Sequence, residues 1–307
     1  MPEKSHKLLN RTLMHAAAKI YYIEGLSQLQ VAERLQVSTA TVSRLLAGAR
    51  TEGIVRFEVP DLEENTELED RLRTALGLKA VRVLESARPA TIAMKVSELL
   101  ADTHINDQSV MAVGWGRTIQ SVIKAGLPRT PGVTVVPTTG GMHQTASHFQ
   151  INEFVRGAAE HMQGNACFLY VPSLVSAELK AGLVRDRAIM RVLDLWDRVD
   201  VGIVGIGNYQ HATTMRDIEL IPDGESKVVG DVTRHYFDED GNIAQWPDYD
   251  NLMAISANQL RRIPVCIGVA VGTDKDRAII GAARSGMINT LVTDERAAQS
   301  IIERIHH

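Results

Sequence analysis

From Gly77 onward, short apolar runs alternate with helix-like stretches, and this alternation limits the fold more than any other feature. Strand-like runs occur at Ala80–Leu84, Val110–Val113, Val133–Val136, Cys167–Val171, Val199–Val204, Val265–Val271 and Thr290–Val292. Helical periodicity lies between most of them, at Ile92–Leu100, Ile119–Lys124, Phe154–Met162, Lys275–Arg284 and Glu295–Ile305. Strands without an in–out alternation are buried on both faces, so the pattern predicts an α/β, doubly wound, mainly parallel sheet over residues 77–307. Residues 225–250 are less regular, with a hairpin turn expected across Asp238–Asn242. The chain has 307 residues, 45% hydrophobic and 23% charged, enough to bury a large core without disulfides or a structural metal. No apolar run approaches the roughly 18 residues that cross a bilayer, and Met1–Lys7 lacks the apolar core of a secretory signal. Cys167 and Cys266 sit in apolar runs, the pattern of buried, reduced thiols in a cytoplasmic protein.

The first 60 residues read differently. Leu13, Ala16, Ala17 and Ile20 recur at helical spacing, with Gly25 as a stop. Ser27 followed by Gln30 has the form of a capping box and starts a second helix with Val31, Ala32 and Leu35 facing inward. Ser38 caps a third helix that runs to Gly53, and the β-prone Ile54–Val59 ends at Pro60. Residues 61–76 suggest a polar linker helix with Leu68, Leu72 and Leu76 four apart. Charge divides in the same place. Residues 1–60 hold 8 Lys and Arg against 5 Asp and Glu, whereas the remainder holds 25 against 32. A basic N-terminal piece on an acidic body suits a nucleic-acid-binding module joined to something else.

Two short capped helices separated by a tight turn form a helix-turn-helix pattern over Ser27–Gly53. At 100° per residue, Val42, Leu45, Leu46 and Ala49 point to the core, and Ala40, Arg44, Ala47 and Thr51 point away. Small and hydroxyl side chains around one arginine can lie in a major groove. Arg44 is expected on a guanine edge or a phosphate, with Thr39, Ala40 and Ser43 near the bases at the helix start. Arg50, Arg56 and Lys19 are either phosphate contacts or plain surface charge. Gln36 occupies the turn position where many such motifs have glycine, at some conformational cost.

In the second module, four predicted strands end in glycine-containing loops: Gly114–Thr118, Pro137–Gly141, Gly205–Asn208 and Gly272–Lys275. Gly114 and Gly116 allow close approach, a helix N-terminus offers free N–H groups, and Arg117, Thr118 and Lys275 add donors suited to phosphate. Thr139, Gly140 and Gly141 line the second loop. Together the loops place a small anionic ligand at the carboxyl edge of the sheet, where such folds bind. Gln150 and Asn152 suit either hydroxyl recognition or simple helix capping, and Asp231 suits either a polyol hydroxyl or a turn. His143, His148 and His161 lack Cys or carboxylate partners at ligand spacing, so no metal and no cofactor is expected.

These residues resemble the SorC family of bacterial transcription regulators. The likeness rests on Val31–Leu35 with Ser38–Gly53, Gly114–Thr118, Thr139-Gly140-Gly141, Val204–Gly207, Gly230-Asp231, and Asp276–Gly286 leading into Asn289–Asp294. The resemblance implies an N-terminal winged helix-turn-helix and an effector domain related in fold to sugar-phosphate isomerases and deaminases. It implies a commonly tetrameric regulator of a carbohydrate or polyol operon. Such a regulator binds operator double-stranded DNA, and a phosphorylated sugar or polyol switches it. By position, Gly116, Arg117, Thr118 and Lys275 would hold phosphate, and Thr139, Gly140, Gln150 and Asp231 would contact the sugar. The coupling is expected in the segment around Leu62–Leu76. The competing reading is a sugar-phosphate isomerase or deaminase with an accessory DNA-binding module, because fold does not fix function. Catalysis would need a general base beside a bound carbonyl, and Asp231 is the one acid given a place beside the ligand. No catalytic residue is therefore assigned.

Overall fold

A computed structural model describes residues 3–55, 66–142, 150–209 and 227–306. The chain divides into two compact units, Met1–Glu63 and Glu64–His307.

The small unit is helical. Helix α1 (Glu3–Ala18) runs on into a π-helical turn, Lys19–Ile23, and is followed by α2 (Gln28–Leu35) and α3 (Thr39–Thr51). The Ser27 hydroxyl accepts from the Gln30 N–H while the Gln30 side chain accepts from the Ser27 N–H, so the expected capping box forms. Ser38 caps α3 by accepting from Thr41 N–H at 3.1 Å. Ala17, Ile20, Val31, Ala32, Val42, Leu45, Leu46 and Ala49 make the core. Residues 56–60, including Arg56 and most of the expected wing, lie outside the described residues.

The large unit is built on a seven-stranded sheet. Its strands are β1 (Ala80–Leu84), β2 (Val110–Val113), β3 (Thr134–Pro137), β4 (Asn165–Ala166), β5 (Val201–Gly205), β9 (Val265–Val269) and β10 (Thr290–Asp294), in the order β1-β10-β9-β5-β2-β3-β4. Every neighbouring pair is parallel, with Met111 opposite Val201 and Val201 opposite Val265 near the centre. Residues of β2 alternate between two cores. Val110 and Ala112 face one, Met111 and Val113 the other, and all four are buried. Helices α5 (Pro89–Asp102), α6 (Arg117–Ala125) and α7 (Ile151–Met162) cover one face. On the other lie α4 (Thr66–Leu76), α9 (Arg187–Trp196), α10 (Ala257–Arg262), α11 (Asp276–Arg284) and α12 (Glu295–His306). A short α8 (Ala177–Leu183) precedes α9. Strands β6 (Gly207–Asn208), β7 (Val228–Val232) and β8 (His235–Asp238) form a separate antiparallel sheet.

Residues 66–76 form a helix, as expected, and it packs on the large unit. Leu72 is fully buried in the large unit, and the Glu69 carboxylate accepts from Val83 N–H at 2.7 Å, closing the outer edge of β1. Cys167–Val171 is not a strand, since β4 stops at Ala166. Beyond it Asn152 takes both backbone groups of Leu169, accepting at 3.2 Å and donating at 3.1 Å. Asn152 is therefore spent on chain structure and does not serve as a hydroxyl reader. The turn at Asp238–Asn242 does form, closed by Asp238 accepting from Asn242 N–H at 2.8 Å.

Candidate functional site

On α3, Thr39, Ala40, Ser43, Arg44, Ala47, Arg50 and Thr51 are exposed, opposite the buried stripe. Arg44 folds back on its helix, its Nε donating to the Ala40 carbonyl at 3.3 Å. Arg34 is held by Glu24 at 2.6 Å. The turn between α2 and α3 carries Gln36 at φ 54°, ψ 43°, a left-handed conformation that glycine adopts without a Cβ clash. A Gln36→Gly substitution is therefore expected to stabilise the small unit by up to about 1 kcal/mol, read as a rise in its thermal midpoint.

The sheet has its switch point between β5 and β2. From β2 the chain winds outward through β3 and β4, and from β5 it winds the other way through β9 and β10. The crevice outside the carboxyl ends at such a point is the usual ligand position. Gly114, directly after β2, donates its N–H to the Ile203 carbonyl of β5 at 2.8 Å and lies close against the β5 backbone at Val204. Gly116 follows at φ 117° and leads into α6, whose first residues are Arg117 and Thr118. The first-turn N–H groups of α6 have no acceptor within their own helix, and they face the same edge as the glycine loops.

Next to this turn lies the β6–β7 pair, where Gly207 is opposite Asp231. The Asp231 carboxylate fills the place that a Cβ at position 207 would take, so any larger residue there would have to displace that carboxylate. Asp231 is pushed above the usual carboxylate range by burial. The Arg234 N–H, donating at 3.2 Å, and the charges of Lys275 and Arg234 work in the opposite direction. Lys275 ends the Gly272–Lys275 loop and donates from Nζ to the Ile206 carbonyl at 3.0 Å. Burial lowers its pKa, Asp274 and Asp231 raise it, and the charge of Arg117 lowers it further. Lys275 thus feels the charges of both Arg117 and Asp231, which come from separate loops. Asn208 clamps this corner by donating to the backbone carbonyl of Asp274.

The second loop is buried and tied down. The Thr139 hydroxyl donates to the Met253 carbonyl at 3.3 Å, and the N–H groups of Gly140 and Gly141 donate to Met253 and Val171 at 2.8 and 2.7 Å. The donors of these residues are thus engaged within the fold, and Thr139 and Gly140 are buried. Gln150 is exposed at the N-terminus of α7 and makes no side-chain cap. His143 and His148 lie outside the described residues.

One neighbour of the rim has no motif-like signal in the sequence. The hairpin from β7 to β8 turns on Thr233 and Arg234, both left-handed at φ 51° and 66°. Such a turn favours Asn-Gly, and a β-branched residue there is strained. Thr233 reaches the Thr138 hydroxyl at 3.5 Å, and the Arg234 guanidinium, buried, donates to the Ser173 hydroxyl at 2.6 Å. Strain of this kind gathers where a ligand-facing surface is fixed. Beside it His235 bridges the Tyr249 hydroxyl and the Ile255 carbonyl at 2.8 and 2.7 Å. Because a carbonyl can only accept, His235 Nε2 carries the proton and Nδ1 accepts from Tyr249.

Comparison with known proteins agrees with this architecture. The family described as "Putative sugar-binding domain" matches residues 60–303. The sorbitol operon regulator of Klebsiella pneumoniae is 28% identical, covering 93% of this chain and 96% of its own. The deoxyribonucleoside regulator of Bacillus subtilis is also 28% identical, with the same coverage of 93% and 96%. The crystal structure of the full-length sorbitol operon regulator SorC from Klebsiella pneumoniae superposes with a TM-score of 0.71 at 26% identity, covering 95% of this chain and 98% of that one. With helix-turn-helix geometry in the small unit and a matched sugar-binding domain in the large one, the chain belongs to the SorC family of sugar-binding transcriptional regulators.

Proposed function

We propose that this regulator binds operator DNA through α3 and that a phosphorylated sugar or polyol, seated at the carboxyl rim of the large unit, switches its grip. The convergence of Arg117, Lys275 and Asp231 at the switch point carries this reading. Arg117 and Lys275 would supply cationic donors to the oxygens of a phosphate, beside the acids Asp274 and Asp231 that also act on Lys275. Gly114, Gly116 and Thr118 would bring backbone and hydroxyl donors to its oxygens, as helix N-termini do. Asp231, an acceptor when ionised, would take hydrogen bonds from sugar hydroxyls, with Gln150 on the sugar side and the Thr139–Gly141 loop behind the site. On the DNA side, Thr39, Ala40, Ser43 and Arg44 would face base edges and Arg50 a phosphate.

The relatives named for sorbitol and deoxyribonucleosides support a carbohydrate effector and a catabolic operon. A ligand moves an equilibrium only by binding two states unequally, so the reading needs at least two reading heads whose spacing responds. A homo-oligomer, as a dimer of dimers, provides pairs that fit half-sites about 34 Å apart. Among the described residues no helix is long and apolar enough to cross a membrane, and the reading places the protein in the cytoplasm with the DNA.

A thermal-shift screen of phosphorylated pentoses, tetritols and hexoses beside their free forms tests the proposal. A matching phosphate ester at about 100 times its Kd adds about 2.7 kcal/mol of stability, a shift of several degrees. Equal shifts from free sugar and ester would remove the phosphate assignment. Conversion of the ester to an isomer or a deaminated product would favour the enzymatic alternative.

A further inference from the structure

At the opposite end of the sheet from the glycine loops, α9 borders an open groove of about 480 Å3. Thr134, the first residue of β3, forms part of its wall, together with Met190, Arg187, Arg191 and Arg198. The three arginines fall at i, i+4 and i+11, so they share one stripe that begins on α9 and ends two residues beyond it. All three are exposed, and among the described residues none forms an ion pair. Among the described residues Asp194 is the one acid lining the groove, and it forms no ion pair with them. Like charges four apart work against the helix that carries them. The stripe is also a local exception in an acidic body, since residues 61–307 hold 25 Lys and Arg against 32 Asp and Glu.

We propose that this groove is a second anion-binding site that takes a linear polyphosphate group, of the kind carried by a nucleoside di- or triphosphate. Guanidinium forks pair with phosphate oxygens two at a time. Arg187 and Arg191 lie one turn apart, about 6 Å along the axis, and Arg198 carries the stripe further, so three cations in line suit a group that carries several phosphates in line. Met190, 41% exposed, offers an apolar surface for the rest of such a ligand. The groove volume falls in the range of small-molecule pockets. The site is separate from the rim and does not depend on the sugar-phosphate reading.

The structure also supplies a reporter. Cys167 is half-buried, and the charge of Arg191 opposes the rise that burial imposes on its thiol. Cys266, buried and pushed up to about 12, stays silent. Tripolyphosphate, ADP, ATP and adenosine are titrated into the full chain at low salt by calorimetry, while the reaction of Cys167 with a small thiol reagent is followed. Tripolyphosphate and the nucleotides are expected to bind and to slow the Cys167 reaction, adenosine to do neither, and added salt to weaken binding. Arg191→Glu and Arg198→Glu, both surface changes, are each expected to lower affinity about tenfold or more. Lys275→Met is expected to leave this affinity and the Cys167 protection unchanged. Absence of binding by every polyphosphate, or binding indifferent to both arginine substitutions, would overturn the proposal. Binding lost in Lys275→Met would also overturn it, because that result assigns the anion to the rim.

Discussion

Lys275→Met is expected to weaken binding of a phosphorylated effector by roughly 10- to 100-fold, as follows from losing one charge-assisted hydrogen bond in a partly buried site. The same change should leave the much weaker binding of the free sugar nearly untouched. Asp231→Asn makes the complementary test. It alters the hydroxyl-facing acceptor and should weaken ester and free sugar by similar factors. The two residues feel each other across the rim, so their effects are not expected to add, and the double variant measures the coupling. Calorimetry with one ester and its parent sugar on the four proteins gives the full cycle. If Lys275→Met discriminated no better between ester and sugar than Asp231→Asn, the phosphate would have to be sought elsewhere on the rim.

Arg44→Ala is expected to cost about 1–3 kcal/mol of operator binding and to relax base preference at one position of each half-site. Arg44 is exposed on α3, and its contact with the Ala40 carbonyl is long and readily given up. The small unit should keep its thermal midpoint, because the core stripe of Val42, Leu45, Leu46 and Ala49 is on the other side of the helix. Arg50→Ala should behave differently, weakening all sequences alike and reducing the salt dependence by about one phosphate. A selection of operator variants against each protein distinguishes the two behaviours. Unchanged base preference in Arg44→Ala would demote that residue to a backbone contact.

Much of this is legible in the amino-acid sequence. The parallel sheet could be read because strands buried on both faces leave continuous apolar runs, as Val265–Val269 does. The helix starts at Ser27 and Ser38 could be read because a hydroxyl cap acts within three residues of sequence. Cys167–Val171 misled, since an apolar run at the edge of a sheet is extended whether its backbone pairs with a strand or with a side chain such as Asn152. The rim was half legible. Arg117 and Lys275 stand beside glycines at helix starts, a local signature. Thr233 and Arg234 have none, because their left-handed turn is imposed by the pairing of Val232 with His235 and by the Ser173 contact, both tertiary. The loss of Asn152 as a hydroxyl reader likewise depends on a partner 17 residues away.

The contact between Glu69 and Val83 bears on how the large unit can be prepared by itself. A border strand whose outward amide has no acceptor is an adhesive seam, open to any extended chain that passes. Here one carboxylate stands in for the missing neighbour, and the helix that carries it lies along the seam. A fragment of the effector unit should therefore be cut before Thr66. Beginning instead at Leu78 would unzip that border and invite self-association.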